Sequence, residues 1–386
     1  VHEVWIDGGP ESVGELLTAL AAALDGGPVV LPLDSRSPGS ATIRDAMEPQ
    51  TPVEPSTAVI VPTSGSSGTP KGVLLSAAAL TASATATLER LGGPGRWLLA
   101  TPAHYVGGLQ VLVRGLLAGH EPTVLDTSSG FHPDAFAEAA EAHLRLPGPH
   151  YTALVPTQLA RLLRAGGAAA RAAAGFDAIV LGGAALDPRL RDAALWAGVS
   201  VIGAYGMSET ASGCVYDGVP LTGVRVRLDP TGRVELAGPM LSHGYRLRPD
   251  LTAAAFTGGW FRTSDLGRLH EDGRLEVLGR ADDVINTGGV KIAAATVERV
   301  LTADPGVATA CVVGLPDAEW GESIAAVVVP VGNSAGGDEL RSRLLAGVRA
   351  ELGAAAVPKR LEFTAELPLR GPGKVDRNAV RDRLAG

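Results

Sequence analysis

Short apolar runs alternate with amphipathic helical stretches from residue 12 to about residue 202, and this alternation constrains the fold of the chain most. Residues 12–24 place Val13, Leu16, Leu17, Leu20 and Leu24 on one helical face. Residues 29–33 predict a strand, 75–91 a helix, 97–100 a strand and 107–117 a helix. Strands follow at 123–125, 152–155, 179–181 and 199–202, with helices near 133–144, 157–165 and 187–196. Such an order buries strands in parallel sheets covered by helices.

The texture changes after about residue 220. Short strands at 224–228, 234–236 and 275–278 are separated by Pro230-Thr231-Gly232 and Glu271-Asp272-Gly273 turns, which predicts a small antiparallel β region. From about residue 282 the pattern is a helix near 294–302, strands at 307–313 and 323–329, a helix near 338–352, a strand at 360–364 and a terminal helix from Asp376. The chain of 386 residues is long enough for two domains. The expected architecture is α/β. A large N-terminal domain over 1–279 carries parallel-rich sheets and the small β region, and a small α+β domain occupies 283–386. No internal repeat is visible.

Between the apolar runs 58–61 and 73–75 lies Thr63-Ser64-Gly65-Ser66-Ser67-Gly68-Thr69-Pro70-Lys71-Gly72. A Ser/Gly linker has this composition too, but a linker does not join two strands and end in Pro-Lys-Gly. A loop of glycines and hydroxyls brings many N–H and O–H donors to one point, and a lysine adds charge, an arrangement suited to phosphate oxygens. It is not the common P-loop, which needs Gly before the Lys and Ser or Thr after it. It resembles the phosphate loop of the adenylate-forming superfamily, which contains acyl- and aryl-CoA ligases, luciferases and peptide-synthetase adenylation domains.

Four further segments resemble that superfamily in its order, and the resemblance covers roughly residues 58–380. Tyr205-Gly206-Met207-Ser208-Glu209-Thr210 is similar to its aromatic-Gly-x-Thr-Glu signature, with Ser208 in place of Thr. The resemblance makes Tyr205 and Gly206 nucleotide contacts, Ser208 a phosphate hydroxyl and Glu209 the Mg²⁺ carboxylate. Upstream, Gly183 and Ala184 resemble the small residues that flank adenine. Asp265, in Thr263-Ser264-Asp265, resembles the aspartate that holds both ribose hydroxyls. Gly279-Arg280-Ala281-Asp282-Asp283 looks like the family's hinge, placed near 280–282. Arg280 would then contact ribose or phosphate, and Asp282 would be the pivot. Gly288 and Gly289 match the segment that turns toward the CoA thiol path, although Asn286 and Ala294 depart from the usual Lys and Pro. Lys374, in Pro368-Leu369-Arg370-Gly371-Pro372-Gly373-Lys374, resembles the adenylation lysine, with Arg370 where Thr is common.

The resemblance implies ATP, Mg²⁺ and coenzyme A beside a carboxylic acid. The catalytic set it transfers is Lys374, Glu209, Ser208 and His104. Thr63, Ser64, Gly65, Ser66, Ser67, Gly68, Thr69 and Lys71 would hold phosphates. His104, followed three residues later by Gly107-Gly108, is similar to the His-x-x-Gly pattern of CoA ligases. The segment around it lacks the carboxylate that binds an amino-acid substrate. Arg114 sits in an otherwise apolar predicted helix and is expected either to snorkel to solvent or to pair with an anion. With the short stretch before the phosphate loop, these features resemble the o-succinylbenzoate–CoA ligases of menaquinone biosynthesis. Their substrate carries one carboxylate to activate and a second that Arg114 would anchor. Two other readings stay open: another aryl- or fatty-acyl-CoA ligase, and a non-catalytic nucleotide-binding module of the same fold.

The net charge of −8 and the absence of a basic block give no sign of a nucleic-acid partner. Cys214 and Cys311 have neither metal-ligand spacing nor a disulfide framework, so a reducing, cytoplasmic setting is expected. No signal peptide and no apolar run of about 18 residues is visible, so membrane insertion is not expected. Oligomeric state is left open.

Overall fold

The computed structural model describes residues 1–64, 70–332, 337–369 and 375–385. Contacts divide the chain into two compact units, one formed by Val1–Val226 with Glu235–Arg262 and the other by Arg227–Val234 with Thr263–Gly386.

The first unit is built on two sheets. A seven-stranded sheet has the order Val219–Pro220, Ser212–Tyr216, Val201–Met207, Ala178–Leu181, His150–Leu154, Arg96–Leu99, Thr123–Val124. Its last five strands are parallel and the first two pair antiparallel at one edge. Strand residues alternate between two cores, as the period of two requires. Trp97, Leu99, Tyr151 and Val180 face the core formed with helices Pro10–Leu24, Ala77–Arg90 and Val106–Leu117. Leu98, Leu154, Ile179 and Leu181 face the core of helices Pro133–Leu144, Pro156–Ala165 and Gly167–Ala174. Both faces are covered, so these strands read as continuous apolar runs. The second sheet has the order His2–Ile6, Val30–Asp34, Val59–Ser64, Pro70–Leu75, Gly244–Tyr245.

One sequence expectation is corrected at its edges. The helix expected over 75–91 spans Ala77–Arg90. Leu75 ends a strand, and Ser76 caps the helix, its Oγ accepting from Ala79 N at 3.0 Å. The strands His2–Ile6 and Ser212–Tyr216 and the helix Gly167–Ala174 were not anticipated. The last is almost all alanine and glycine, with no apolar contrast to reveal a period.

Between residues 225 and 280 the expected small antiparallel β region is present, its longest strand being Trp260–Leu269. The rest of the second unit is a sheet of order Val290–Ala293, Val284–Thr287, Gly321–Pro330, Val307–Asp317, with Arg360–Phe363 parallel to Gly321–Pro330. Ile324, Ala326 and Val328 pack with residues of helices Ala294–Thr302 and Asp338–Leu352, and Ala325 and Val327 with Val380 and Leu384 of helix Arg377–Ala385. Arg377 locks that last helix down. It donates to Glu298 Oε1 and Oε2 at 2.7 and 2.9 Å and to Val312 O at 2.7 Å, and pairs with Asp283 at 3.1 Å. Among the described residues no helix is long and apolar enough to cross a membrane.

Candidate active site

The hydroxyl- and glycine-rich loop tops an antiparallel hairpin whose last pairs are Thr63 with Lys71 and Ser64 with Pro70. Thr63 Oγ1 donates to Lys71 O at 3.3 Å. Gly65, Ser66, Ser67, Gly68 and Thr69 lie outside the described residues. Lys71 is half-buried, and its Nζ stands 5.4 Å from the centre of the Tyr245 ring.

Tyr205 and Gly206 belong to the parallel strand Val201–Met207, and Ser208–Thr210 form a 3-10 turn at its carboxyl end. Ligands of open α/β sheets bind at such ends. Gly206 is required by space: a Cβ there would stand 2.1 Å from Ser212 O. Thr210 shapes the turn, its Oγ1 accepting from Met207 N at 2.9 Å and donating to Ser212 O at 2.6 Å. Glu209 is gripped twice. Its backbone oxygen accepts from Ser242 N at 2.8 Å, and its Oε1 accepts from Tyr245 Oη at 2.9 Å. Burial, and then the neighbouring Glu209 carboxylate, push the Tyr245 phenol up, so it stays protonated and donates. Gly183, at φ +83°, and Ala184 are exposed just after the parallel strand Ala178–Leu181.

His104 follows the strand Arg96–Leu99 and is buried. Its ring lies 4.2 Å from that of Tyr105, its Nε2 is 3.9 Å from Asp34 Oδ2, and its Nδ1 has no hydrogen-bond partner among the described residues. Arg36 Nε in turn holds Asp34 Oδ1 at 3.3 Å. Burial lowers the His104 pKa to about 4, with Asp34 opposing and Arg36 reinforcing. The imidazole is therefore neutral near pH 7 and free to accept or donate at Nδ1.

Arg114 is not brought to His104. It occupies the last turn of helix Val106–Leu117, about 12 Å along the axis from Val106 at 1.5 Å per residue, whereas His104 precedes the helix. It is 1% exposed, with its guanidinium 5.0 Å from the centre of the Trp97 ring. Nε and Nη2 have no partner among the described residues, and burial lowers its pKa against the influence of Tyr216. It does not snorkel to solvent, and among the described residues no carboxylate pairs with it. The helix is set by its apolar face, and that face includes position 114.

The remaining sequence-predicted residues lie in the second unit. Asp265 sits inside strand Trp260–Leu269, directly across from Arg280 in Leu275–Arg280. Its N donates to Thr263 Oγ1 at 3.0 Å. Arg280 Nη2 donates to Asp282 Oδ2 at 3.3 Å, and both side chains are exposed. Gly288 and Gly289 form a two-residue hairpin turn at φ +59° and +81°, where both positions require the left-handed region. A Cβ on Gly288 would meet Trp320 at 2.4 Å, whereas one on Gly289 would meet nothing within 4 Å. Lys374 and Arg370 lie outside the described residues.

Sequence reasoning missed Tyr245, Asp34 and Arg36. Asp34 could have been found, because it directly follows the carboxyl end of the strand expected over 29–33. Tyr245 carried no signal, standing 36 residues from Glu209.

The sequence profile described as AMP-binding enzyme matches residues 3–245, and that described as AMP-binding enzyme C-terminal domain matches residues 296–374. The chain belongs to the AMP-binding enzyme family. It is 45% identical over 339 residues to a probable 2-succinylbenzoate–CoA ligase of Mycobacterium tuberculosis, covering 86% of each chain. It is 35% identical over 404 residues to a sulfoacetate–CoA ligase of Cupriavidus necator, covering 97% of this chain and 76% of that one. Among solved structures, the o-succinylbenzoate CoA synthetase of Bacillus subtilis in complex with its acyl-adenylate intermediate matches with a TM-score of 0.76 at 26% identity, over 96% of this chain and 81% of that one. ATP-bound MatB of Rhodopseudomonas palustris matches at 0.83 and 25% identity, over 99% and 88%.

Proposed function

We propose that this chain is an AMP-forming acid–thiol ligase that adenylates o-succinylbenzoate with ATP and passes the acyl group to coenzyme A, giving o-succinylbenzoyl-CoA, AMP and pyrophosphate. One observation supports it above others. The Ser208–Thr210 turn presents Glu209 to the Tyr245 hydroxyl, and the ring of the same tyrosine faces Lys71 at the base of the phosphate loop. The identity to a probable 2-succinylbenzoate–CoA ligase supports the choice of acid.

In the first half-reaction a substrate carboxylate oxygen attacks the α-phosphorus of ATP, and pyrophosphate leaves. The protein contributes position and charge. Lys71 and the 63–72 loop hold phosphate oxygens, with Ser208 adding a hydroxyl. Tyr205, Gly206, Gly183 and Ala184 accept the base, and Asp265 and Arg280 take the ribose and phosphate. Among the described residues no group of three or more His, Cys, Asp or Glu could hold a metal by itself. A single carboxylate, Glu209, fits a Mg²⁺ carried mainly by nucleotide phosphates, where the ion supplies charge neutralisation. Lys374 is the proposed adenylation lysine, and residues near Asp282 the hinge. In the second half-reaction the CoA thiol attacks the acyl-adenylate carbonyl past Gly288-Gly289, and AMP leaves. His104, neutral and with Nδ1 unpartnered among the described residues, would meet the acid.

The placement of Arg114 favours a second, broader reading, an aryl- or fatty-acyl-CoA ligase with no dedicated second-carboxylate site, because the cation expected to provide one is buried against Trp97. Mass spectrometry of enzyme incubated with ATP and o-succinylbenzoate, without CoA, tests the first reading. It predicts the o-succinylbenzoyl adenylate, and conversion to the thioester when CoA is added. With Lys374→Ala the adenylate should form orders of magnitude more slowly, while thioester formation from pre-made adenylate is spared. No adenylate from the parent enzyme would contradict the proposal.

A further inference from the structure

Tyr245 belongs to no motif that the sequence reading used, yet it touches both charged groups of the proposed triphosphate site. Its strand, Gly244–Tyr245, adds antiparallel to Pro70–Leu75, pairing Tyr245 with Val73 and Gly244 with Leu74. The residue is 7% exposed. Its backbone is fixed by Tyr245 N donating to Thr252 Oγ1 at 2.9 Å, and Thr252 Oγ1 donates on to Arg248 O at 2.9 Å. Gly244 allows that close approach: at φ +144°, a Cβ there would lie 2.6 Å from Thr252 Cγ2. The ring packs on Phe256 at 5.9 Å. From this rigid seat the phenol donates to Glu209 Oε1, and the ring faces the Lys71 ammonium.

We propose that Tyr245 is a positioning residue that holds the Glu209 carboxylate and the Lys71 ammonium in place for a metal-bound triphosphate. The proposal rests on the reading of Glu209 and Lys71 given above and deepens it. A glutamate on a turn has three free torsions, and a lysine has four. Ordering each at the moment of binding costs side-chain entropy. Tyr245 removes that cost for both at once. It occupies one oxygen, Oε1, and leaves Oε2 for the ion. Its hydroxyl is a neutral donor, so it brings no counter-charge to the carboxylate. The ring attracts the ammonium through its negative face, which keeps Lys71 near Glu209 without a direct ion pair that would neutralise both. Supporting partners of this kind typically change metal affinity by about 10–100-fold when removed.

The test is titration of Mn²⁺ into full-length protein saturated with a non-hydrolysable ATP analogue, with free Mn²⁺ read by electron paramagnetic resonance. Parent, Tyr245→Phe, Glu209→Gln and the double variant are compared, and the urea midpoint of each is recorded. Tyr245→Phe keeps the ring and loses only the hydroxyl. It should weaken Mn²⁺ binding about tenfold or more while its urea midpoint stays near the parent's. In the double variant the tyrosine change should add little to the effect of Glu209→Gln, because its target is gone. If Glu209→Gln weakens binding and Tyr245→Phe does not, the positioning role is overturned and the Glu209 reading stands. The role is also overturned if Tyr245→Phe lowers the midpoint but leaves Mn²⁺ affinity per folded molecule unchanged, since the tyrosine is then only structural. If Glu209→Gln itself has no effect, the assignment of Glu209 falls, and the inference with it.

Discussion

Arg246→Met should be among the most damaging single substitutions in the first unit. The Arg246 side chain is fully buried and spends its donors on one short segment. Nε donates to Met47 O at 3.1 Å, Nη1 to Pro52 O and Glu54 Oε2 at 2.7 and 2.8 Å, and Nη2 to Glu48 O and Thr51 O at 3.0 and 2.7 Å. Glu54 answers by accepting from Leu247 N at 2.8 Å. A buried ion pair can often be replaced by apolar residues without loss, but four of these acceptors are backbone carbonyls that no substitution can remove. Methionine fills similar volume and strands them. Breaking a buried pair costs about 3–5 kcal/mol, and each stranded acceptor costs about 1 kcal/mol or more unless water reaches it. The expected loss is therefore about 4–9 kcal/mol, rising with the number of the four carbonyls that water does not reach, a large share of the roughly 5–15 kcal/mol that holds a domain folded. The 47–54 segment underlies the strand that carries Lys71, since Arg246 N also donates to Gly72 O at 2.8 Å. Activity should fall with the folded fraction. Urea unfolding followed by tryptophan fluorescence measures the loss. A change below about 1 kcal/mol would refute the reasoning, because it would mean that those carbonyls find water or that the network contributes nothing net.

Arg114→Met removes a buried cation whose Nε and Nη2 have no hydrogen-bond partner among the described residues. Losing a cation–π contact worth about 2 kcal/mol is offset by relief of desolvation. Stability should hold or rise, and the ratio of kcat/KM for o-succinylbenzoate to that for a monocarboxylic aryl acid should stay constant. A tenfold fall in that ratio would restore Arg114 as a substrate cation. Gly289→Trp should slow thioester formation from pre-made adenylate while pyrophosphate release without CoA persists, since the position opens on empty space; loss of both half-reactions would make Gly289 a folding glycine. In the pH dependence of stability, His104 and His143 are both lowered to about 4 by burial. The unfolded chain binds their protons first, so stability is full above about pH 6.5 and declines as pH falls toward 4. His104→Asn should reduce the drop between pH 7 and 4.5 by up to about 2 kcal/mol, measured by urea unfolding at the two pH values. An unchanged slope would count against the burial argument.

The helices that sequence located well are those with apolar contrast. Pro10–Leu24, Pro133–Leu144 and Asp338–Leu352 lie within two residues of their expected spans. The parallel sheet followed from continuous apolar runs, since both its faces are buried. The site was legible wherever a motif is local in sequence. Ser208, Glu209 and Thr210 share one turn, and Thr63 and Lys71 are hairpin partners. What the sequence could not show needs long-range geometry. Whether Arg114 faces a ligand or a core depends on the rotation of its helix against Trp97, and Trp97 lies on a neighbouring strand. Tyr245 reaches Glu209 only because a two-residue strand returns to the sheet edge beside Val73. Asp265 lies in a ten-residue strand whose polar residues hide any alternation.

The central claim is that this enzyme activates o-succinylbenzoate for transfer to CoA. The most direct measurement is steady-state thioester formation with ATP, Mg²⁺ and CoA across o-succinylbenzoate, a monocarboxylic aryl acid of similar size and a medium-chain fatty acid. The account predicts that kcat/KM for o-succinylbenzoate exceeds the other two by at least about tenfold, the discrimination that one well-made polar contact provides. Equal or higher kcat/KM for either monocarboxylate would contradict it, and would leave a CoA ligase of other specificity.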